Sequence, residues 1–120
     1  MNINALVVER IYGWVSVDAP TWWGCKSAGV LGAAWRHPDG QITCKACQGT
    51  REFDTDVSAA LDALEKVVGT SSNWYVHCAT YKTPFEYWCS LEDEEWSTSD
   101  VSLPLAISRC ALRVAGVLNV

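Results

Sequence analysis

Cys44-Lys-Ala-Cys47 sets two thiols three residues apart, the spacing at which one turn of backbone can bring both sulfurs to a single metal ion. Cys25 and His37 stand in the same stretch, which runs from about Asp18 to Thr50. Zinc takes four thiolate or imidazole ligands in a tetrahedron, so Cys25, His37, Cys44 and Cys47 would complete a site if the stretch folds back on itself. The chain has no second C-x-x-C. Spacing alone leaves two other outcomes open, a redox-active pair and ordinary reduced thiols.

Binding chemistry is the next candidate. Trp22 and Trp23 follow Ala19-Pro20-Thr21, and adjacent side chains of an extended backbone point to opposite sides, so one core cannot take both rings. One ring is therefore expected at the surface beside Gly24, Gly29 and Gly32, as an anchor for a protein or a stacking face for a base. A tryptophan folded over a sheet is the alternative. Glu92-Asp93-Glu94-Glu95-Trp96 is the densest charge run. Together with Asp100 it could imitate a phosphate backbone toward an Arg/Lys-lined groove, although acidic runs are more often solvated loops. Its spacing fits no EF-hand loop and lacks the turn glycine. Lys26, Arg36, Lys45 and Arg51 are the cations that would offset phosphate charge if the ligand were a nucleotide.

A catalytic set is not legible. His37 and His77 sit in no recognisable motif, and the chain lacks a G-x-S-x-G elbow, a phosphate-cradling G-x-x-x-x-G-K-[ST], an H-E-x-x-H and a dinucleotide fingerprint. The expectation is a protein that is not an enzyme.

The elements that must position these residues follow from length and periodicity. A chain of 120 residues, 49% hydrophobic and 19% charged, has the balance of one folded domain. A net charge of −5 disfavours nucleic acid and favours basic partners. The first residues lack the basic start and apolar centre of a signal peptide, and no apolar run approaches the ~20 residues that span a bilayer. A cytoplasmic location and mostly reduced cysteines are expected, with Cys78, Cys89 and Cys110 as small buried hydrophobes.

Ile3, Val7, Ile11 and Trp14 space out a first helix that Gly13 ends. A second helix has Asp54 as its cap, Asp56 at its dipole, a stripe of Val57, Ala60, Leu61, Leu64, Val67 and Val68, and Gly69 as its stop. A third begins near Ser102, tolerates Pro104 in its first turn and buries Ile107, Cys110, Ala111, Val114 and Leu118, with Ser108 and Arg109 facing elsewhere. Trp74 to Tyr81 and Phe85 to Leu91, separated by Lys82-Thr83-Pro84, read as a hairpin with apolar groups on both faces, so cover is expected on both. A short strand around Trp14 to Val17 and a turn at His37-Pro38-Asp39-Gly40 joining two strands complete the pattern.

Three segments in order, Ile3-Asn-Ala-Leu-Val-Val-Glu-Arg-Ile-Tyr-Gly-Trp14, Phe53-Asp-Thr-Asp-Val-Ser-Ala-Ala60 and Asp100-Val-Ser-Leu-Pro-Leu-Ala-Ile-Ser-Arg-Cys-Ala-Leu-Arg-Val-Ala-Gly116, resemble the bacteriophage ABA-sandwich domain family. The resemblance implies a single α+β domain layered as helix, antiparallel sheet and helix, with an insert at about 18–50, and a phage origin. It carries no catalytic residues. The function expected is that of a small phage-encoded inhibitor of a bacterial immune system, of the anti-CRISPR type. It would act in the host bacterial cytoplasm on a host defence protein or complex, docking on its basic nucleic-acid-binding surface. Trp22, Trp23 and Glu92 to Trp96 would be the contacts. The alternatives are a sponge for a nucleotide immune signal and a phage structural or assembly accessory that dimerises.

Overall fold

The computed structural model describes residues 2–69, 73–79, 83, 85–91, 97–117 and 120, and the chain is an α+β protein of three helices and two small antiparallel sheets. Helix α1 (Ile3–Arg10) starts where the Asn2 side chain accepts the Ala5 N–H at 3.1 Å. Ile3, Val7 and Val8 face inward, while Glu9 and Arg10 lie exposed. Gly13 then turns the chain with φ +75°, a value that side-chain-bearing residues avoid.

The segment from 18 to 50 belongs to a sheet of its own. Strands β1 (Val15–Val17), β2 (Ala34–Arg36) and β3 (Ile42–Cys44) run antiparallel in that order, with Val17 opposite Ala34 and Ala34 opposite Cys44. His37-Pro38-Asp39-Gly40 makes the β2–β3 turn, closed by the His37 N–H to the Gln41 carbonyl at 2.8 Å and supported by Gly40 at φ +90°. Trp35 is 4% exposed and joins the main core, with the Trp14 ring 6.1 Å from its centroid. The Trp35 ring is a tie between the small sheet and the rest of the molecule.

Helix α2 (Val57–Val68) and helix α3 (Leu103–Val114) make the most extensive contact between any two described elements. Ala59, Ala60, Ala63 and Ala111 on these helices are fully buried and share one core with Leu64, Phe53, Ile107 and Leu112. Ser102 caps α3 and Pro104 sits in its first turn, as its missing N–H permits. Gly69, at φ +74°, ends α2.

The second sheet consists of β4 (Trp74–Ala79), β5 (Glu86–Leu91) and β6 (Ser97–Asp100), paired antiparallel in chain order. The hairpin is therefore as expected, and β6 is an addition. Helix α3 lies against β5 and β6, and α1 packs on α3. Cys89 and Leu91 are the buried residues of β5. Cover does not extend along β4, where Tyr75 is 45% and Val76 37% exposed and Cys78 is exposed, not buried as expected. No described helix is long and apolar enough to cross a membrane.

Two further expectations are corrected. Asp56, not Asp54, caps α2, accepting the Ser58 N–H at 2.9 Å and the Ala59 N–H at 3.4 Å. Asp54 instead exchanges hydrogen bonds with Asn4: the Asn4 amide donates to its carboxylate, and its own N–H donates to the Asn4 carbonyl oxygen, both at 3.1 Å. Ser108 does not face away. It is fully buried, and its hydroxyl donates to the Phe53 carbonyl at 2.6 Å, because α3 has neighbours on more than one side. Tyr81, Lys82, Pro84 and Leu118 lie outside the described residues.

A candidate metal centre

The loop from residue 18 to 33 returns on itself. The Ala19 N–H donates to the Val30 carbonyl at 3.0 Å and the Gly29 N–H to the Ala19 carbonyl at 3.1 Å, while the Asp18 carboxylate accepts the Gly32 N–H at 2.9 Å. Closure at its neck carries Cys25 toward the end of β3. There Cys44 is the last strand residue, and the chain turns immediately, with the Gln48 N–H on the Cys44 carbonyl at 3.0 Å and Gly49 at φ +62°.

The Sγ atoms of Cys25, Cys44 and Cys47 consequently lie within 4.8 Å of one another. Cys25 Sγ and Cys44 Sγ are 3.9 Å apart. A disulfide would hold them at ~2.05 Å. Two sulfurs bound to one tetrahedral zinc at ~2.3 Å each would be separated by ~3.8 Å. The observed spacing suits an S–H···S hydrogen bond and equally two ligands of one ion, so the cluster could hold a metal.

The surroundings favour sulfur in its charged form at one vertex. The Ser27 hydroxyl, the Cys47 backbone amide, the Cys47 thiol and the Ala46 amide all point hydrogen-bond donors at Cys44, and lower its pKa to about 6 against the opposing effect of burial. Amide donors aimed at a sulfur also hold a metal-ligating thiolate in orientation. Cys47 is pushed up to about 11, because hydrogen bonds to Cys44 and Cys25, and their negative charge, favour its protonated form.

His37 is not part of the cluster, contrary to the four-ligand expectation. Its Nε2 is 2.8 Å from Thr43 Oγ1, and its ring lies 3.9 Å from the Trp14 ring centroid. Its partner Thr43 is the residue before Cys44 on β3, and successive strand side chains point to opposite faces, so the imidazole lies on the other face from the Cys44 thiol. Ser27 is the contributor that spacing did not single out, and its place two residues after Cys25 was the available signal.

Trp22 is 81% exposed and Trp23 half-buried, so one ring of the pair is at the surface as expected. Leu31, 80% exposed, and Val30, 49%, add apolar area to the same loop. Glu92, Asp93, Glu94, Glu95 and Trp96 lie outside the described residues. Asp100, grouped with them by sequence, is held by Arg109 at 2.6 Å and by the Ser102 N–H at 3.1 Å.

The insert's cations have separate engagements. Lys45 Nζ is 2.7 Å from Ser16 Oγ and 4.1 Å from the Trp35 ring centroid. Arg51 pairs with Asp62 at 2.7 Å. Lys26 and Arg36 are exposed, and Arg36 sits at the opposite end of β2 from the residue facing Cys44. An open cleft of about 730 Å³ lies elsewhere, lined by Asn2, Ile3, Asn4, Asp54, Leu105 and Arg109. No family model, curated protein or solved structure matches the chain.

Proposed function

We propose that the chain is a binding protein whose loop 18–33 is held on a zinc ion by Cys25, Cys44 and Cys47 and offers Trp22 and Leu31 to a protein partner. The observation that carries this reading is the exposure of Trp22, 81%, and Leu31, 80%, on a loop whose neck is closed by backbone hydrogen bonds and whose middle reaches the thiol cluster. Large apolar side chains on a fixed loop lose little entropy on docking, and tryptophan is over-represented among residues that dominate interfaces. Zinc is the ion that best suits three sulfur donors gathered within 4.8 Å.

The partner's charge follows from the chain's own. At −5, association is steered toward a basic surface. With the resemblance to phage accessory proteins, this supports an inhibitor that occupies the nucleic-acid-binding face of a bacterial defence complex, of the anti-CRISPR type, in the host cytoplasm. The acidic run at 92–96 supplies a second contact.

The test is capture from bacterial lysate with the zinc-loaded chain, repeated with Trp22→Ala and Leu31→Ala. The expected partner is a nucleic-acid-binding protein that DNA or RNA competes away and that associates more slowly as salt rises. Equal capture by both variants would remove the loop from the interface. A released nucleotide with no protein would replace this reading with that of a nucleotide sponge.

A further inference from the structure

Three sulfurs make three corners of a tetrahedron, and the placement of the fourth corner is informative. Cys44 is buried and surrounded by its hydrogen-bond donors, Cys25 is half-buried and Cys47 is exposed. An ion seated among them has protein behind Cys44 and solvent on the side of Cys47. Among the described residues no further His, Cys, Asp or Glu atom joins the group. His37, the one imidazole in the insert, is engaged with Thr43 and Trp14. Lys45 turns away to Ser16 and the Trp35 face.

Closed four-ligand sites are the rule for structural zinc, whereas three protein ligands leave a position for a group from outside. The exposed Trp22 is three residues from Cys25, so the two lie at most ~10 Å apart along the chain. A partner that docks on Trp22 is within reach of the ion. Charge selects the donor. Zinc with three thiolates carries −1, and a fourth thiolate would make −2 in a chain already at −5, while a neutral imidazole adds nothing.

Resting on the zinc reading above, we infer that the Cys25/Cys44/Cys47 centre keeps an exchangeable fourth position that faces solvent beside Trp22 and accepts an imidazole nitrogen, supplied by a histidine of the docking protein. The interface is thereby partly a coordination bond, sensitive to chelators and to histidine modification on the partner.

The full chain loaded with cobalt in place of zinc gives the test, because cobalt's visible bands report both the number of sulfur ligands and a change in the remaining one. Imidazole is titrated into the cobalt form, with a small monothiol as the comparison and His37→Ala as a second protein. The expected result is a thiolate-to-cobalt absorption before any addition, then a band shift that saturates at one imidazole per cobalt, unchanged in His37→Ala, with the thiol acting only at higher concentration. Thiolate absorption with bands that imidazole does not move means the fourth position is filled from within the chain, and overturns the inference while leaving the metal site standing. Tighter response to the thiol than to imidazole overturns the choice of donor. Cobalt bound without thiolate absorption removes the metal reading itself, and this inference with it.

Discussion

Cys25 and Cys44 are 19 residues apart in the chain, yet their sulfurs are 3.9 Å apart, the distance of an S–H···S hydrogen bond and one that two ligands of a single ion also adopt. An ion held between them cross-links loop 18–33 to the end of β3. Closing a loop of that length by a cross-link is worth about 3 kcal/mol in the chain-entropy account. Purified without chelator, the protein is expected to hold one zinc per chain by mass spectrometry. Cys25→Ser and Cys44→Ser should lose it and lower the melting temperature, and a chelator should do the same to the parent but not to the variants. A parent with no bound zinc and no response to chelator would sink the site.

Acid and base both weaken the metal-free centre, through different thiols. The folded pKa of Cys44, about 6, lies below the free-thiol value of 9.0, so its thiolate adds stability that is complete above pH 9 and fades as pH falls through 6. Cys47, at about 11, lies above the free value, so its contribution is complete below pH 9 and is lost as pH rises through 11. Urea unfolding of the reduced, metal-free chain should show stability from this centre rising between pH 6 and 9 and falling beyond it. Replacing both residues by serine should flatten that profile.

Asp56 and Asp54 are two residues apart and do different work. Asp56→Ala removes the acceptor for the Ser58 and Ala59 amides and should cost about 1 kcal/mol in denaturant unfolding. Asp54→Ala breaks only the bond it accepts from Asn4, since the Asp54 N–H still reaches Asn4, and should cost less. An equal loss from both would contradict the cap assignment.

Ser108→Ala leaves the Phe53 carbonyl without its 2.6 Å donor inside the core. A buried acceptor left unpaired costs ~1–3 kcal/mol, far more than the hydroxyl's small volume would suggest. Chemical denaturation gives the number. A change within ~0.5 kcal/mol, the range of ordinary surface substitutions, would mean that the contact carries no weight.

Trp22→Ala should behave as a surface change for stability, within ~0.5 kcal/mol, because 81% of the side chain is already in solvent. Loss of partner capture without loss of melting temperature separates an anchor from a packing residue. A marked drop in melting temperature would place the ring in the fold and not in an interface.

Where local chemistry decides, the sequence was readable. Ser102 with Pro104 opens α3, Gly69 ends α2, and the His37-Pro38-Asp39-Gly40 turn joins two strands, each because a cap, a ring or a positive φ has few residues able to supply it. The C-x-x-C and Cys25 were legible as a cluster that could hold a metal, and Trp22-Trp23 as a pair with one exposed member. What failed required knowing what lies opposite. His37 fell out of the cluster because strand alternation, invisible in spacing, puts its partner Thr43 on the opposite face of β3 from Cys44. Ser108 was assigned to the surface because a single apolar stripe presumes a helix with one neighbour, and α3 has several. β6 was missed because Ser97-Thr-Ser-Asp100 carries no apolar alternation. Asp54 and Asp56 are equivalent cap residues by type, and the turn before α2 chose between them.

The buried alanines of α2 and α3 set a limit on how this molecule can change. Ala59, Ala60, Ala63 and Ala111 have no accessible surface, so any larger residue must displace its core neighbours, and the only smaller one, glycine, weakens a helix by about 1 kcal/mol. Those positions have nowhere to drift. Loop 18–33 is under no such constraint at Trp22 and Leu31, whose side chains stand mostly in solvent, so they can be exchanged while the helical frame stays as it is.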